Sequence, residues 1–191
     1  VGITRWKGEE WITQRALDTA NFTVEKDALT LCGNGLDLCD RKMQGLLLVR
    51  QQERAFTVET VLEIPAAGTA GLTCYYDEHS YLKFGIGPEG LLLEEYAGYE
   101  VVSRQTAPLP ASTSHVRLRV TAADGQRHFA IQDRTDWHTL WSIPEPRYLT
   151  SEGLQCGKRF TGAMVGLYVH GASAVRFADW VAVWPHPEEK R

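Results

Sequence analysis

A chain of 191 residues, 43% of them hydrophobic, suits one domain built on a sizeable core. Its net charge of −4, from 20 Lys and Arg against 24 Asp and Glu, lacks the clustered basic surplus that a phosphate backbone asks for, so no nucleic-acid partner is expected. No apolar run reaches the ~18 residues of a membrane-crossing helix and no signal peptide opens the chain, so no membrane partner is expected either. The text begins at Val1 with VGITRWKGEEW, which is expected of an excised domain or of a chain trimmed upstream.

Strand periodicity governs the rest. Residues 29–31 and 45–50 read as strands on either side of Gly33-Asn34-Gly35. Phe56, Val58, Thr60, Leu62 and Ile64 alternate with Thr57, Glu59, Val61 and Glu63, giving one apolar and one mixed face. Residues 71–76, 81–86, 91–96 and 99–104 follow, separated by Asp77-Glu78-His79 and Gly87-Pro88-Glu89-Gly90. Val116, Leu118 and Val120 alternate with Arg117, Arg119 and Thr121, and Asp124-Gly125 then signals a tight hairpin into 127–132. Residues 137–143, 164–170 and 175–184 complete the series. The stretch 148–154 is the one candidate for a helical turn, with Thr150 or Ser151 as cap and Glu152 close behind. A dozen short strands with almost no helix predict an all-β sandwich or barrel. The expected organisation is a single domain over 1–187 and a frayed polar tail over 188–191.

The titratable residues give no clear reaction centre. Glu59 and Glu63 share a strand face but lie about 13 Å apart at about 3.3 Å per residue, too far for the roughly 5–10 Å of a glycosidase pair. Glu94 and Glu95 point to opposite faces. His79, His115, His128, His138, His170 and His186 show no ligand spacing, although His128 and His138 could meet across a hairpin. Gly85-x-Gly87-x-x-Gly90 spells a dinucleotide fingerprint, but it joins two strands with no helix after it and reads as a turn. No Gly-x-Ser-x-Gly elbow occurs. Cys32, Cys39, Cys74 and Cys156 fit no zinc template. A disulfide between Cys32 and Cys39 is geometrically possible, but the expectation is reduced, structural thiols, hence a cytoplasmic location with secretion as the alternative.

Aromatic residues are the more informative class. Trp137 and Trp141 lie four residues apart in one strand and are expected to face the same side. With Tyr75 and Tyr76 they could form a platform on which sugar rings stack. Phe160 stands where the polar loop 151–159 turns into an apolar strand, a place that can hold an aromatic ring rigidly outward.

Several segments occur in a telling order: Arg50-Gln51-Gln52, Phe56-Thr57-Val58-Glu59-Thr60, Ala70-Gly71-Leu72-Thr73-Cys74-Tyr75-Tyr76, Asp136-Trp137, Leu149-Thr150-Ser151-Glu152, Phe160-Thr161-Gly162-Ala163-Met164-Val165-Gly166 and Phe177-Ala178-Asp179-Trp180. From Trp6 to Trp184 the chain thereby resembles the C-terminal domain of family 43 glycoside hydrolases of the β-xylosidase and α-arabinofuranosidase type. The resemblance implies a concanavalin-A-like (jelly-roll) β-sandwich of two antiparallel sheets. It also implies an N-terminal five-bladed propeller, absent from these residues, that carries the catalytic carboxylates, so no catalytic residue is assigned here. By motif, Phe160, flanked by Arg159 and Thr161, would close the sugar pocket of that propeller. The closing strand reads Phe177-Ala178-Asp179 where the family tends to carry Ala-Asp-Phe-Asp, which leaves Asp179 as the single candidate for a structural calcium and no other cofactor expected. The function implied is a non-catalytic accessory domain of an enzyme acting on xylan- or arabinoxylan-derived oligosaccharides. Its partners would be the propeller and a pentose-containing oligosaccharide. The alternatives are a free-standing carbohydrate-binding module using Trp137, Trp141, Tyr75 and Tyr76, or an autonomous sandwich glycosidase, which would need a close carboxylate pair in a cleft.

Overall fold

The computed structural model describes residues 3–13, 21–111, 113–150, 153 and 162–185. Among them are strands β1 (Ile3–Trp6), β2 (Glu9–Thr13), β3 (Phe22–Val24), β4 (Ala28–Cys32), β5 (Leu46–Arg50), β6 (Phe56–Glu63), β7 (Thr69–Asp77) and β8 (Ser80–Gly87). β9 (Gly90–Ala97), β10 (Glu100–Ala107), β11 (His115–Ala123), β12 (Gln126–Asp133), β13 (Asp136–Pro144), β14 (Met164–His170) and β15 (Ala174–Val183) follow. They form two antiparallel sheets, ordered β1-β2-β5-β14-β7-β8-β9-β10 and β13-β12-β11-β6-β15-β4-β3. The sheets face one another as a β-sandwich, the architecture expected. β1, β2 and β3 were not anticipated, because Ile3–Trp6 and Glu9–Thr13 mix charge and bulk without clean alternation. The helical turn expected at 148–154 is a 3-10 turn over Arg147–Leu149, followed by a turn in which the Thr150 hydroxyl accepts the Gly153 N–H at 3.1 Å.

Alternation decides the inner faces. Phe56, Val58 and Leu62 of β6 and Val116, Leu118 and Val120 of β11 point at Leu72, Cys74, Leu82, Phe84, Leu93, Val165 and Leu167 of the other sheet, forming one apolar core. Asp124 and Gly125, at φ 52° and 73°, make the β11–β12 hairpin a turn with both central residues left-handed, the form whose twist matches paired strands. β7 and β8 are buried along nearly their whole length, on both faces. The reason is a thin third layer. Residues 33–45 fold back over the eight-stranded sheet, and Leu38 and Met43 pack there on Leu46, Leu48, Tyr75, Tyr81, Met164 and Tyr168. Tyr75, Tyr81 and Tyr96 are direct cross-strand partners on this face, with ring centroids 6.2 and 4.8 Å apart and nearly parallel planes.

Two bulges re-aim aromatic side chains. In β15 the register shifts between Ala178 and Val181, with Asp179 at φ 51°. A regular strand would turn Phe177 and Trp180, three residues apart, to opposite faces; the bulge buries both, and Trp180 meets Trp11 edge-on at 4.6 Å. In β13 the shift falls opposite Phe129 and Ala130, which pair with Trp141 and Thr139 and leave Leu140 as the extra residue.

Candidate functional site

The β13 bulge corrects the expectation that Trp137 and Trp141 share a face. Trp137 lies outside the seven-stranded sheet, where the Arg119 guanidinium stacks 3.6 Å from its ring centroid. Trp141 turns inward and meets Phe84 edge-on at 6.1 Å. Tyr76 is 2% exposed in the core between the sheets, whereas Tyr75 is 3% exposed on the opposite side of its sheet, beneath residues 33–45. The four rings therefore occupy three separate places. Arg159, Phe160 and Thr161 lie outside the described residues, as does Cys156. The other three cysteines are free thiols.

The residues do not fit a calcium ion at Asp179. Its carboxylate takes a 3.1 Å bond from Arg117 Nη2, and the described residues hold no group of three His, Cys, Asp or Glu that could bind a metal. His128 bonds Ser142 at 2.6 Å and pairs with it in register, rather than with His138. Glu59 is held by Arg119 at 2.6 Å, and Glu63 lies 3.4 Å from His115.

The structure brings Glu94 and His170, weighed separately in the sequence, together with Asp37, Lys83 and Arg104, which were not. A cleft of about 640 Å³ opens on the outer face of the eight-stranded sheet. Residues 66–69, the Gly87–Gly90 turn, β10 and Asp37 wall it. Its floor carries Lys83, only 2% exposed, whose ammonium bonds Asp37 at 2.9 and 3.1 Å and His170 Nδ1 at 3.4 Å, and forms an ion pair with Glu94 at 3.2 Å. Arg104 Nε stands 3.9 Å from the other Glu94 oxygen. The placement follows from register: Lys83 pairs with Glu94 across the β8–β9 hairpin, and Glu94 with Arg104 across β9–β10. One row further along, Tyr168 covers Gly85, where an added Cβ would fall 2.1 Å from the Tyr168 hydroxyl; that hydroxyl donates to Thr69 at 3.2 Å. Only a glycine lets the ring lie this close to the strand.

The protonation pattern of this group is set by donor count. An ammonium has three protons and no lone pair, so His170 Nδ1 accepts from Lys83 and its proton sits on Nε2. Burial holds His170 below its ordinary pKa of 6.5, Lys83 adds to this, and Asp37 and Glu94 oppose it. Burial also pushes the Tyr168 hydroxyl up. Asp37 and Glu94 both line the cleft and both pair with Lys83, Asp37 through both of its oxygens. Lys83 itself was the available signal: it stands between Leu82 and Phe84 in an otherwise apolar strand.

A second polar group closes the other end of the sandwich. Arg127, 1% exposed, bonds Glu145 at 2.6 and 3.1 Å and lies 5.3 Å from the Phe56 ring centroid. Tyr148 donates to Glu95 at 2.9 Å, and burial, helped by Glu95, pushes its hydroxyl up. These bonds seat the Arg147–Leu149 turn.

The family described as the β-xylosidase C-terminal concanavalin A-like domain matches residues 7–181. Among solved structures, the GH43 BlXynB protein from Bacillus licheniformis is similar with 22% identity and a TM-score of 0.77, over 91% of this chain and 36% of that one. The xylan β-1,4-xylosidase from Bacillus halodurans C-125 is similar with 20% identity and a TM-score of 0.74, over 86% and 34%. A functionally unknown protein from Saccharomyces cerevisiae is similar with 17% identity and a TM-score of 0.62, over 92% and 96%. At such identities the likeness bears on the fold. The chain spans about a third of the length of the two Bacillus proteins. No curated protein matches the chain.

Proposed function

Because the chain belongs to the family of β-xylosidase C-terminal concanavalin A-like domains, we propose that it is the accessory β-sandwich of a GH43-type glycoside hydrolase acting on pentose-containing oligosaccharides from xylan or arabinoxylan. The observation that carries the reading is the family match over 7–181 together with neighbours about three times as long, which leaves room for a separate catalytic domain. In this reading the sandwich packs on an N-terminal propeller and Phe160, with Arg159 and Thr161 beside it, closes the sugar pocket. Excluding water and shaping the subsite are contributions made through binding. The proposed compartment is the cytoplasm, where thiols such as Cys32, Cys39 and Cys74 stay reduced.

The test is Phe160→Ala in the intact enzyme. A fall in kcat/KM of about tenfold on an aryl xyloside, with an unchanged melting temperature, is the expected result. Unchanged kinetic constants would remove the pocket role. A second reading is a free-standing carbohydrate-binding module; the yeast protein, spanned almost end to end, bears only on a sandwich of this fold making up nearly a whole chain. Saccharide binding by this chain with no measurable coupling to a catalytic domain would favour that alternative.

A further inference from the structure

We propose that the cleft on the outer face of the eight-stranded sheet, floored by Lys83 and lined by Glu94, Arg104 and His170, is a binding site for a neutral saccharide. Its volume of about 640 Å³ falls within the range of small-molecule sites, about 300–1,000 Å³. The charges that line it are of both signs: Lys83 and Arg104 against Asp37, Glu89 and Glu94, with His170 held toward its neutral form by burial. An anion would meet three carboxylates and a cation would meet two basic groups. A polyhydroxylated neutral ligand, whose hydroxyls both donate and accept, meets no such opposition.

Donors and acceptors remain for it. Among the described residues the Arg104 guanidinium makes no hydrogen bond; its side chain is 63% exposed and its contact with Glu94, at 3.9 Å, is too long for one. His170 keeps its Nε2–H, since Nδ1 is taken by Lys83. Leu92 and Pro88 add apolar surface for the C–H face of a sugar ring. Lys83 has a bland reading as a clasp that pins residues 33–45 to the sheet through Asp37. A buried ammonium with two carboxylates is a poor source of stability compared with packed apolar side chains, and Arg104 lies outside that clasp.

The choice of a pentose chain as probe rests on the proposed function; the cleft argument does not. The 191-residue chain is titrated calorimetrically with xylotetraose, cellotetraose and inorganic phosphate. Saturable binding of either tetrasaccharide, with a dissociation constant of about 1 mM or tighter, is expected, and Arg104→Ala and Glu94→Gln should each weaken it about tenfold. Arg104 is exposed, so its variant keeps the test valid if Glu94→Gln fails to fold. Amide shifts on binding should centre on Thr69, Gly87, Thr106 and His170. No saturable binding of either sugar, binding indifferent to Arg104→Ala, or phosphate binding at least as tightly as the sugars would overturn the inference. Cellotetraose bound in preference to xylotetraose would support the cleft while weakening the pentose reading, and an inert cleft in a domain whose intact enzyme responds to Phe160→Ala would do the reverse.

Discussion

Arg127 is the most demanding residue of the interior, because a guanidinium that is 1% exposed must be matched where it stands. Glu145 matches it with two bonds, and the pair is unequal: the Glu145 side chain is 38% exposed. Burial alone would lower the Arg127 pKa, but Cys74 and Glu145 outweigh it and hold it up. The inequality makes a directional prediction. Glu145→Ala strands a buried cation and should lose about 3 kcal/mol in chemical denaturation, whereas Arg127→Met leaves a carboxylate that water can reach and should lose about 1 kcal/mol. Equal losses, or the reverse order, would contradict this account. His170 gives a second prediction, in pH. Its native pKa is depressed below 6.5, so as pH falls the unfolded chain takes up the proton first and stability declines from about pH 6.5 until the native imidazole also titrates. In His170→Gln, whose amide oxygen can still accept from Lys83, the fall in melting temperature from about pH 7.5 to about pH 5.5 should be smaller than in the parent. Superimposable pH profiles would show that His170 contributes nothing.

At the scale of the element, the two bulges decide which aromatic rings hold the sandwich together. Trp141→Ala should cost about 2–4 kcal/mol, since it empties a place against Phe84 and Phe129, while Trp137→Ala should cost about 1 kcal/mol or less, the loss of one stacked arginine on an outer face. Matching costs for the two, measured by denaturant titration, would argue against the bulge in β13. These elements also show what sequence can carry. Strands such as Phe56–Glu63 and His115–Ala123 were readable because one face meets the core and the other meets water. The Pro88-Glu89 hairpin even specifies a register, since pairing Gly87 with Gly90 sets Lys83 opposite Glu94. Counting fails one hairpin later, where a shift between Val101 and Ser103 brings Arg104 to Glu94. A single inserted residue reverses every side chain beyond it, and nothing in Thr139-Leu140-Trp141 announces one. Asp37 was illegible for a different reason. It reaches Lys83 across 46 positions of chain, a contact that depends on how residues 33–45 fold over the sheet.

At the scale of the molecule, several acidic side chains on both outer faces are engaged by basic ones. On the seven-stranded sheet, Arg117 and Arg119 hold Glu59, and Arg117 also holds Asp179. On the eight-stranded sheet, Lys83 holds Asp37 and Glu94, and Arg41 holds Glu78 at 3.0 Å. Glycoside hydrolysis asks for a different state of affairs, one carboxylic acid kept protonated beside the leaving oxygen and a second carboxylate free to act as base or nucleophile. A carboxyl that burial does push up, Glu9, sits on β2 beside Trp184, away from the cleft. The cleft has the volume of a sugar site, and two of its carboxylates are tied to Lys83, which suits an accessory sandwich whose parent enzyme keeps the reaction in another domain. The purified 191-residue chain should release no p-nitrophenol from an aryl xyloside or arabinoside above the buffer rate, even at concentrations at which the cleft is filled. Turnover that disappears in Asp37→Asn and in Glu94→Gln would place the reaction inside this sandwich and reverse the division of labour proposed for it. Turnover that survives both substitutions would point instead to a contaminating hydrolase.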